Sequence, residues 1–340
     1  MLEMRENVDI KEHCTLRVGG QFRYFIETGD KGELEKVFEF AKEKNLSIFV
    51  LGSGSNMVFP DGILEKVVVK INFSGFEVLD DTDEYTDIKV GAGENWDSVV
   101  ERTVDMNLSG IEAMSAIPGT AGATPVQNVG AYGQEIKDTL LEVEVFDVEN
   151  KDFKIITNSL CSFSYRNSIF KGDAKGKYVI TSTTLRLSKS KPFIPNYPGV
   201  KKYFLENNIN SPTLLQIREA IIDIRSDKLP DPKFIPSVGS FFKNTIVPKE
   251  VANNLKYQYP TMIVFPVNDK ETKVPSGFLI EQAGLKGKSF GPISSYTHNA
   301  MVLVNNGGAT RADVERVRDE ITQIIFEKFG ITLETEPEFV

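Results

Sequence analysis

A proline-rich segment at residues 228–240 divides the sequence. The segment, KLPDPKFIPSVGS, contains three prolines, and proline inside a helix removes a hydrogen bond and clashes with the preceding turn. At 340 residues the chain also exceeds the size at which one hydrophobic core usually suffices. We therefore place a domain boundary near Lys228 and expect two or three domains. A second proline-rich stretch, KSKPFIPNYPG at 189–199, predicts a loop or a boundary rather than a core element.

Helices and strands alternate before this boundary. Apolar residues recur at intervals of three and four in Lys31–Asn45 and again from Trp96 to Val104, which predicts two helices with one buried face each. A further helix is predicted at Thr213–Arg225. Apolar or alternating runs predict strands at Ile48–Leu51, Val67–Ile71, Leu141–Val148 and Tyr178–Leu187.

The C-terminal part of the chain carries the clearest helix signal. Thr310 and Asp313 fit a capping box, and Gly330 suits the C-terminal cap. The apolar stripe between the caps consists of Val314, Val317, Ile321 and Ile324. The final residues, ITLETEPEFV, predict a strand. Three glutamates would share one face of it, so we expect at least two of them to be solvated: Glu334, Glu336 and Glu338.

Composition and charge exclude several classes of protein. A net charge of −9 and a pI near 5.1 argue against a broad nucleic-acid surface, because such surfaces need clustered lysine and arginine. No apolar run is long enough to cross a bilayer, and the N-terminal MLEMRENVDIKEH lacks the pattern of a secretory signal. We expect a soluble, cytoplasmic protein with no nucleic-acid partner and no membrane insertion.

The few cysteines and histidines limit the chemistry further. Cys14 and Cys161 form neither a CxxC pair nor part of a zinc-type spacing, so we expect two free thiols. His13 and His298 are too few for a histidine-based metal cluster and do not favour a Ser-His-Asp hydrolase. We predict no metal site.

Two segments of small residues are candidate ligand loops. Gly52–Asn56, the sequence GSGSN, follows a predicted buried strand, and its backbone N–H groups could cradle a phosphate. An ordinary tight turn is the better interpretation of this motif alone. Ile117–Gly133 is rich in glycine and poor in charge, which is unusual for a solvated loop and equally compatible with an extended cofactor or an irregular surface loop.

Two further motifs carry side chains suited to catalysis. In SYRNS at 164–168, Tyr165 could stack on a ring and Arg166 could hold a carboxylate or phosphate, although an exposed arginine is commonplace. In GSFFKN at 239–244, Ser240 has no histidine nearby in the sequence, so it suits proton or hydrogen-bond donation better than nucleophilic attack. A serine in a turn before a core strand is the alternative.

Taken in order, these motifs resemble the UDP-N-acetylenolpyruvoylglucosamine reductase family over essentially the whole chain. The matching blocks are LGSGSN, VGAGENW, IPGTAGATPVQNVGAYG, SFSYRNSIFK, RSDKLPDPK, VGSFFKN and EPEF. Their common order is far more specific than any single block. The tyrosine of PNYP at 195–198 resembles the type I form of the family, in which a tyrosine loop covers the substrate.

The resemblance implies an α+β, three-domain flavoprotein. Two domains would form an FAD-binding unit of the vanillyl-alcohol-oxidase (PCMH-type) superfamily, and an α/β domain would bind the substrate. The implied limits are residues 1–70 for the first FAD-binding subdomain and 71–227 for the second, which the C-terminal strand 331–340 would join. Residues 228–330 would form the substrate-binding domain.

The resemblance also assigns roles to individual residues. Arg166 would polarise the enolpyruvyl carboxylate, Ser240 would donate the proton, and Glu338 would assist enol formation. The residues implied to bind FAD are Gly52, Ser53, Gly54, Ser55, Asn56, Pro118, Gly119, Gly122, Ala123, Asn128, Gly130, Ala131 and Tyr132. The residues implied to bind the substrate are Tyr165, Tyr197, Arg225, Lys228, Asn244 and Lys286.

The activity implied is the NADPH-dependent, FAD-mediated reduction of an enolpyruvyl UDP-sugar to UDP-N-acetylmuramate for peptidoglycan. The hydride would pass from NADPH to the flavin and then to the vinyl carbon, while Arg166 and Glu338 stabilise the enolate and Ser240 protonates it. We expect FAD and NADPH as cofactors, the UDP-sugar as the other ligand, and a monomer. The three catalytic residues, far apart in sequence, would have to converge over the flavin ring.

Two other functions remain open from the sequence. An oxidase of the same superfamily would lack the Ser240 block and would react readily with oxygen. A UDP-sugar or nucleotide binding protein without redox chemistry would be colourless. The sequence stops two residues beyond Glu338, where many relatives continue, so fraying at this end would displace Glu338.

Overall fold

The structure is a computed structural model that describes residues 3–190 and 192–340. Its α-helices are α1 (Lys31–Glu43), α2 (Trp96–Asp105), α3 (Pro198–Glu206), α4 (Leu214–Lys228), α5 (Lys249–Gln258), α6 (Ser276–Gln282) and α7 (Arg311–Phe329). Short 3₁₀ helices lie at Ile10–His13, Glu112–Met114, Ala121–Ala123, Ile136–Asp138 and Asn158–Cys161.

The strands are mostly short. They are β1 (Met4–Asp9), β2 (Gln21–Thr28), β3 (Ile48–Leu51), β4 (Met57–Val58), β5 (Ile63–Ile71), β6 (Phe76–Asp81), β7 (Tyr85–Gly91), β8 (Gly130–Ala131), β9 (Gln134–Glu135), β10 (Leu140–Asp147), β11 (Asp152–Thr157), β12 (Tyr178–Ser188), β13 (Ser237–Ser240), β14 (Thr245–Pro248), β15 (Phe265–Pro266), β16 (Glu271–Val274), β17 (Ile293–Ser295), β18 (Val302–Asn305) and β19 (Glu338–Phe339).

The described residues divide into two compact units. Unit 1 comprises residues up to 8, 22–54 and 65–226, and unit 2 comprises 9–21, 55–64 and 227–340. Unit 2 therefore resumes beside the boundary placed at Lys228. The three-domain limits drawn from the sequence stay a prediction.

Besides the β8–β9 hairpin, unit 1 contains two larger sheets on one continuous core. The first has the strand order β1-β2-β5-β3, with β3 and β5 parallel, and the second is antiparallel with the order β11-β10-β12-β7-β6. Helix α1 starts at the N-cap Asp30, whose carboxylate accepts from the N–H of Glu33. It buries the predicted stripe of Leu34, Val37, Phe38 and Ala41. The six strand and helix predictions from Lys31 to Leu187 are thus confirmed, with ends displaced by a few residues at most apart from the start of β5.

Unit 2 packs three helices on two small sheets. The strand orders are β13-β18-β17 and β14-β16-β15, and β19 pairs with β4 in parallel. The capping box of α7 is confirmed, and Gly330 ends the helix in the left-handed conformation at φ 68°. The predicted stripe needs one correction, because Ile325 is fully buried whereas Ile324 is only partly so. The helix follows a 3.6-residue period, which places Ile325, four residues after Ile321, on the buried face.

Two further predictions are corrected by the structure. The loop predicted at 189–199 ends early because Pro198 begins α3, and proline is well tolerated in the first turn of a helix. Only Glu338–Phe339 of the C-terminal tail forms a strand. The tail lies in unit 2, where it pairs with Met57–Val58 and where Phe339 packs on that unit's core.

The described residues also bear on the thiols, metals and membranes. Cys14 and Cys161 are buried free thiols, as predicted, and burial raises the pKa of both, that of Cys161 to about 11. No cluster of three or more metal-ligating side chains occurs in the described ranges. No helix within them is both long enough and apolar enough to cross a membrane.

Candidate active site

The turn after β3 is the first predicted ligand loop. Gly54 has φ 65°, a conformation that L side chains rarely adopt. Within the described part of the chain, the N–H groups of Ser53 and Gly54 have no hydrogen-bond partner. A Cβ on Gly52 would lie 3.1 Å from Oγ1 of Thr120, so this turn lies against the second glycine-rich segment. Small residues whose N–H groups lack a partner suit an anionic ligand.

The second segment, 117–133, requires glycine at specific points. Gly119 has φ 141°, and its carbonyl accepts from the N–H of Trp96 at 3.1 Å, at the start of α2. A Cβ on Gly122 would lie 2.5 Å from Cβ of Ala92, a separation that real side chains do not show. Pro118 is exposed, while Ala123 is half-buried. The glycines therefore let this irregular backbone lie directly on the core of unit 1.

Asn128 holds the middle of this segment in place. Its side chain is buried, and its backbone is left-handed at φ 49°. Nδ2 donates to Oε2 of Glu135 at 3.0 Å and to the carbonyl of Ser164 at 3.1 Å, and Oδ1 accepts from the N–H of Lys137 at 3.2 Å. One amide thus joins the glycine-rich segment to the SYRNS motif.

Arg166 lies next to the same segment. Its Nη2 donates to the carbonyl of Gly130 at 3.0 Å, and its guanidinium lies 5.4 Å from the centroid of the Tyr165 ring. Gly130 and Ala131 form β8, which pairs with β9 in a hairpin whose strands are two residues long. Arg166 and Tyr132 both have left-handed backbones, at φ 54° and 50°. Non-glycine residues in this region store strain, which concentrates at functional sites.

Two tyrosines and an arginine gather near this hairpin. The rings of Tyr132 and Tyr197 are 5.6 Å apart at 78°, and both pack on the small core between α3 and α4. Burial raises the pKa of both tyrosines. Burial lowers the pKa of Arg225, and the negative charge of Asp97 acts in the opposite direction, to raise it. Among the described residues, the buried Nε of Arg225 has no hydrogen-bond partner, so a donor remains for a ligand.

A pair of side chains connects α4 to α2 and to the turn before this segment. Arg218 donates to both carboxylate oxygens of Asp97, at 2.6 and 3.0 Å, and Asp97 also accepts from the N–H of Ala116 at 2.6 Å. Because Arg218 and Ala116 donate to it, the pKa of Asp97 is lowered despite partial burial. Ala116 is another left-handed residue, at φ 58°. The carboxylate therefore fixes the start of the glycine-rich segment.

Ser240 ends strand β13 in unit 2. Gly239 precedes it with φ 71°, and Ser240 pairs with Val302 of β18. Its side chain is partly exposed, and Oγ makes no hydrogen bond to any described residue. The hydroxyl is consequently available to donate to a bound molecule.

Glu338 is held by backbone pairing. Its N–H donates to the carbonyl of Asn56 at 3.0 Å, and the N–H of Val340 donates to Val58 at 3.1 Å. Nδ2 of Asn56 also donates to the carbonyl of Glu336 at 3.3 Å. The described end of the chain is therefore ordered by pairing with 56–58.

The remaining predicted substrate residues of unit 2 differ in their surroundings. Oδ1 of Asn244 accepts from the N–H of Ser276 at 3.2 Å, at the start of α6. Lys286 is exposed and pairs with Glu281 at 3.0 Å, and Lys228 is exposed at the end of α4. Ser55 belongs to unit 2 with Asn56, whereas Gly52, Ser53 and Gly54 belong to unit 1.

Unit 1 thus brings together the 117–133 segment, the SYRNS motif, Tyr197 and Arg225. Sequence reasoning missed three buried or half-buried carboxylates that support them: Asp97, Glu112 and Glu135. Only Glu112 carried a signal, since it is a lone charge between apolar residues in GIEAM. Nothing in the sequence indicated the partners of Asp97 or Glu135.

Comparison with known proteins identifies the family. One family model, described as the C-terminal domain of UDP-N-acetylenolpyruvoylglucosamine reductase, matches residues 231–340, and a model described as an FAD binding domain matches 22–151. The reductase of Flavobacterium johnsoniae is 40% identical over 336 residues, covering 98% of this chain and 99% of the relative. That of Bdellovibrio bacteriovorus is 38% identical, covering 99% of each chain.

The chain belongs to the UDP-N-acetylenolpyruvoylglucosamine reductase family. A crystal structure of the Thermus caldophilus reductase matches with a TM-score of 0.68 and 22% identity, covering 100% of this chain and 98% of that one, which shows the shared fold. The predicted α+β flavoprotein class, the FAD-dependent oxidoreductase activity and the cofactors FAD and NADPH are thereby confirmed.

The residues of unit 1 fit the FAD of this reductase family. The N–H groups of Ser53 and Gly54 donate to no described residue, so they suit a diphosphate. The two glycine-rich segments lie side by side, and their small residues allow a ligand to approach the backbone closely. No carboxylate is among the residues predicted to contact the cofactor. This donor set is that of an anion-binding cradle.

Proposed function

We propose that this chain reduces UDP-N-acetyl-3-O-(1-carboxyvinyl)-glucosamine to UDP-N-acetylmuramate with NADPH, a step of peptidoglycan biosynthesis. The observation that carries the proposal is the 40% identity to a named reductase over 98% of the chain. The supporting geometry is a glycine-rich anion cradle in unit 1 and, in unit 2, a serine hydroxyl that bonds to no described residue.

FAD would be held by the turn at 52–56 and by the 117–133 segment. Backbone N–H groups would bind its diphosphate, and Asn128 would hold the segment against the SYRNS motif. When bound, FAD supplies the redox chemistry, accepting a hydride from NADPH and passing it to the substrate. The residue-level assignments follow the family motifs.

Arg166 and Arg225 would bind the anionic groups of the substrate. A guanidinium carries five N–H donors in a planar fork that suits a carboxylate, and Nη2 of Arg166 bonds to the carbonyl of Gly130. Arg166 would hold the enolpyruvyl carboxylate and stabilise the negative charge that develops there. Arg225, whose buried Nε has no partner among the described residues, would bind the same carboxylate or the diphosphate. Lys228, Asn244 and Lys286 would contact the UDP-sugar.

Ser240 would deliver the proton. A serine hydroxyl is a weak acid, but the carbon of an enolate is strongly basic, so a positioned hydroxyl suffices. The absence of a bond to other described residues leaves its proton free to move to the substrate. Glu338 would assist enol formation from its place beside 56–58.

The remaining assignments complete the proposal. The enzyme would be a cytoplasmic monomer of the type I form, with Tyr197 over the substrate. The predicted three-domain limits belong to the same proposal. Neither nucleic acid nor membrane insertion enters it.

The test is NADPH oxidation with and without the enolpyruvyl UDP-sugar, followed at the nicotinamide absorbance. We expect oxidation that depends on the sugar, by a protein that is yellow with flavin bands. A colourless protein that FAD cannot reconstitute would support the non-redox binding function instead. Rapid oxygen consumption without the sugar would support the oxidase.

A further inference from the structure

Glu112 is a fully buried carboxylate, with 0% of its surface exposed. Oε1 accepts from Oγ of Ser109 at 2.9 Å and from the N–H of Phe193 at 3.1 Å, and Oε2 accepts from the N–H of Gly110 at 2.6 Å. In the described part of the chain, no lysine or arginine pairs with it. A buried carboxylate without a cation depends on such donors, since burying unsatisfied charge is costly.

One of these donors lies 81 residues away in the chain. Phe193 belongs to the loop between β12 and α3, which contains Tyr197. The loop follows Ser188, the last residue of β12, whose N–H and carbonyl both pair with Ser109 at 2.8 Å. Glu112 therefore holds Phe193, and Ser109 holds Ser188, to the turn that precedes the 117–133 segment.

The side chains of Phe193 and Tyr197 also lie on the β8–β9 hairpin. A Cβ on Gly133 would lie 3.2 Å from Cζ of Phe193 and 3.8 Å from Cε2 of Tyr197. The Tyr197 ring contacts Tyr132 at 5.6 Å between centroids. Phe193 itself is 39% exposed.

We propose that Glu112 is a positioning residue that anchors the 192–197 loop, so that Tyr197 is held against Tyr132 where it covers the substrate. The role rests on the proposed function, because it concerns how the enolpyruvyl UDP-sugar is held. The effect of Glu112 passes through the backbone N–H of Phe193.

The test compares Glu112→Gln with Ser109→Ala. The side chain of glutamine is neutral and its nitrogen cannot accept, so the bond from the N–H of Phe193 is either lost or reduced from a charge-assisted bond to a weaker neutral one. For Glu112→Gln we expect a KM for the UDP-sugar about tenfold higher, equivalent to roughly 1.4 kcal/mol, with flavin reduction by NADPH unchanged. Amide hydrogen exchange in the peptide covering 192–197, measured without substrate, should accelerate. Ser109→Ala removes one donor but leaves both backbone N–H groups paired, so KM and exchange should stay within about twofold.

Two results would overturn the inference. One is a Glu112→Gln enzyme with wild-type KM and wild-type exchange in the loop. The other is an equal loss in both variants and in both half-reactions, which indicates general destabilisation. If Glu112→Gln does not fold, Glu112→Asp keeps the charge near Gly110 but falls short of Phe193, and the same readouts apply. A wild-type protein without sugar-dependent oxidation would refute the proposed function, whereas the exchange result stands independently.

Discussion

The two units hold their candidate catalytic residues in different ways. In unit 1, Arg166 and Tyr132 lie on irregular, left-handed backbone, and Asn128 ties that backbone together with three side-chain hydrogen bonds. In unit 2, Ser240 ends a regular strand, a glycine takes the left-handed position beside it, and its hydroxyl bonds to no other described residue. Support in unit 1 depends on a few buried side chains, whereas in unit 2 it comes from strand pairing.

This difference predicts where mutations act. Strained backbone persists only where several surrounding contacts hold it in place. Replacing a supporting side chain in unit 1 should therefore lower both the free energy of unfolding and the affinity for the cofactor. A substitution at Ser240 should leave the strand intact and affect only the chemistry. Substitutions made in each unit can therefore test the contrast.

Ser240→Ala should have the largest effect. We expect turnover to fall about 10²–10⁴-fold, the range for loss of a positioned proton donor, while NADPH still reduces the flavin. Because Oγ bonds to no described residue, the free energy of unfolding should change by less than about 0.5 kcal/mol. Stopped-flow reduction and reoxidation of the flavin separate the two steps, and turnover at the wild-type rate would remove Ser240 from its role.

Asn128→Ala should destabilise unit 1 by about 3 kcal/mol, since it combines lost buried hydrogen bonds with a left-handed alanine. The purified protein should also retain less FAD. Urea unfolding and the flavin-to-protein absorbance ratio measure the two effects.

Asn45→Ala is the matched control for this change. Asn45 has φ 53° but is exposed, and its side chain makes no hydrogen bond to a described residue. Its replacement should cost only the left-handed strain, about 1 kcal/mol. Equal losses at the two sites would mean that the hydrogen bonds of Asn128 contribute nothing.

Asp97→Asn should destabilise the protein by about 2 kcal/mol, because it leaves Arg218, which is 7% exposed, without its bidentate partner. Asp97 itself is 35% exposed, which moderates the effect through solvent screening. Glu101→Gln is the control, because Glu101 lies 3.6 Å from the same arginine but is 62% exposed. Its replacement should lower the free energy of unfolding by less than about 0.5 kcal/mol.

The same pair predicts a pH dependence. The pKa of Asp97 is lowered in the folded protein, so its contribution is complete above the unfolded value, about 3.9, and is lost as the pH falls through the folded pKa. The free energy of unfolding, measured with urea, should therefore fall less between pH 7 and pH 3 for Asp97→Asn than for the wild type. An unchanged difference would contradict the pairing.

Lys286→Ala should have the smallest effect. An exposed lysine attracts a diphosphate weakly, so we expect a KM for the UDP-sugar about threefold higher that converges on the wild type at high salt. Lys288→Ala is the control, since Lys288 is similarly exposed and paired with Glu320 at 3.2 Å. Identical KM values for the two variants would remove Lys286 from the substrate site.

Local pattern predicted most of the regular structure. The stripe of α1, the capping box of α7 and the strands from Ile48 to Leu187 follow from periodicity and capping chemistry, which depend on residues a few positions apart. The order of the glycine-rich and SFFKN motifs was sufficient to predict the family. Local pattern did not predict the extent of the strand in the tail, because that extent depends on pairing with a distant segment. Only two residues of the tail form a strand, beside Met57–Val58.

Sequence patterns alone therefore specify most of the elements and the glycines that an irregular loop needs. Only the folded chain establishes that Asn128 bonds to Ser164, that Asp97 holds Ala116, and that Glu112 holds Phe193. The reason is physical: periodicity is a property of neighbouring residues, whereas a hydrogen bond between residues 36 or 81 positions apart exists only once the chain has closed and excluded water around it.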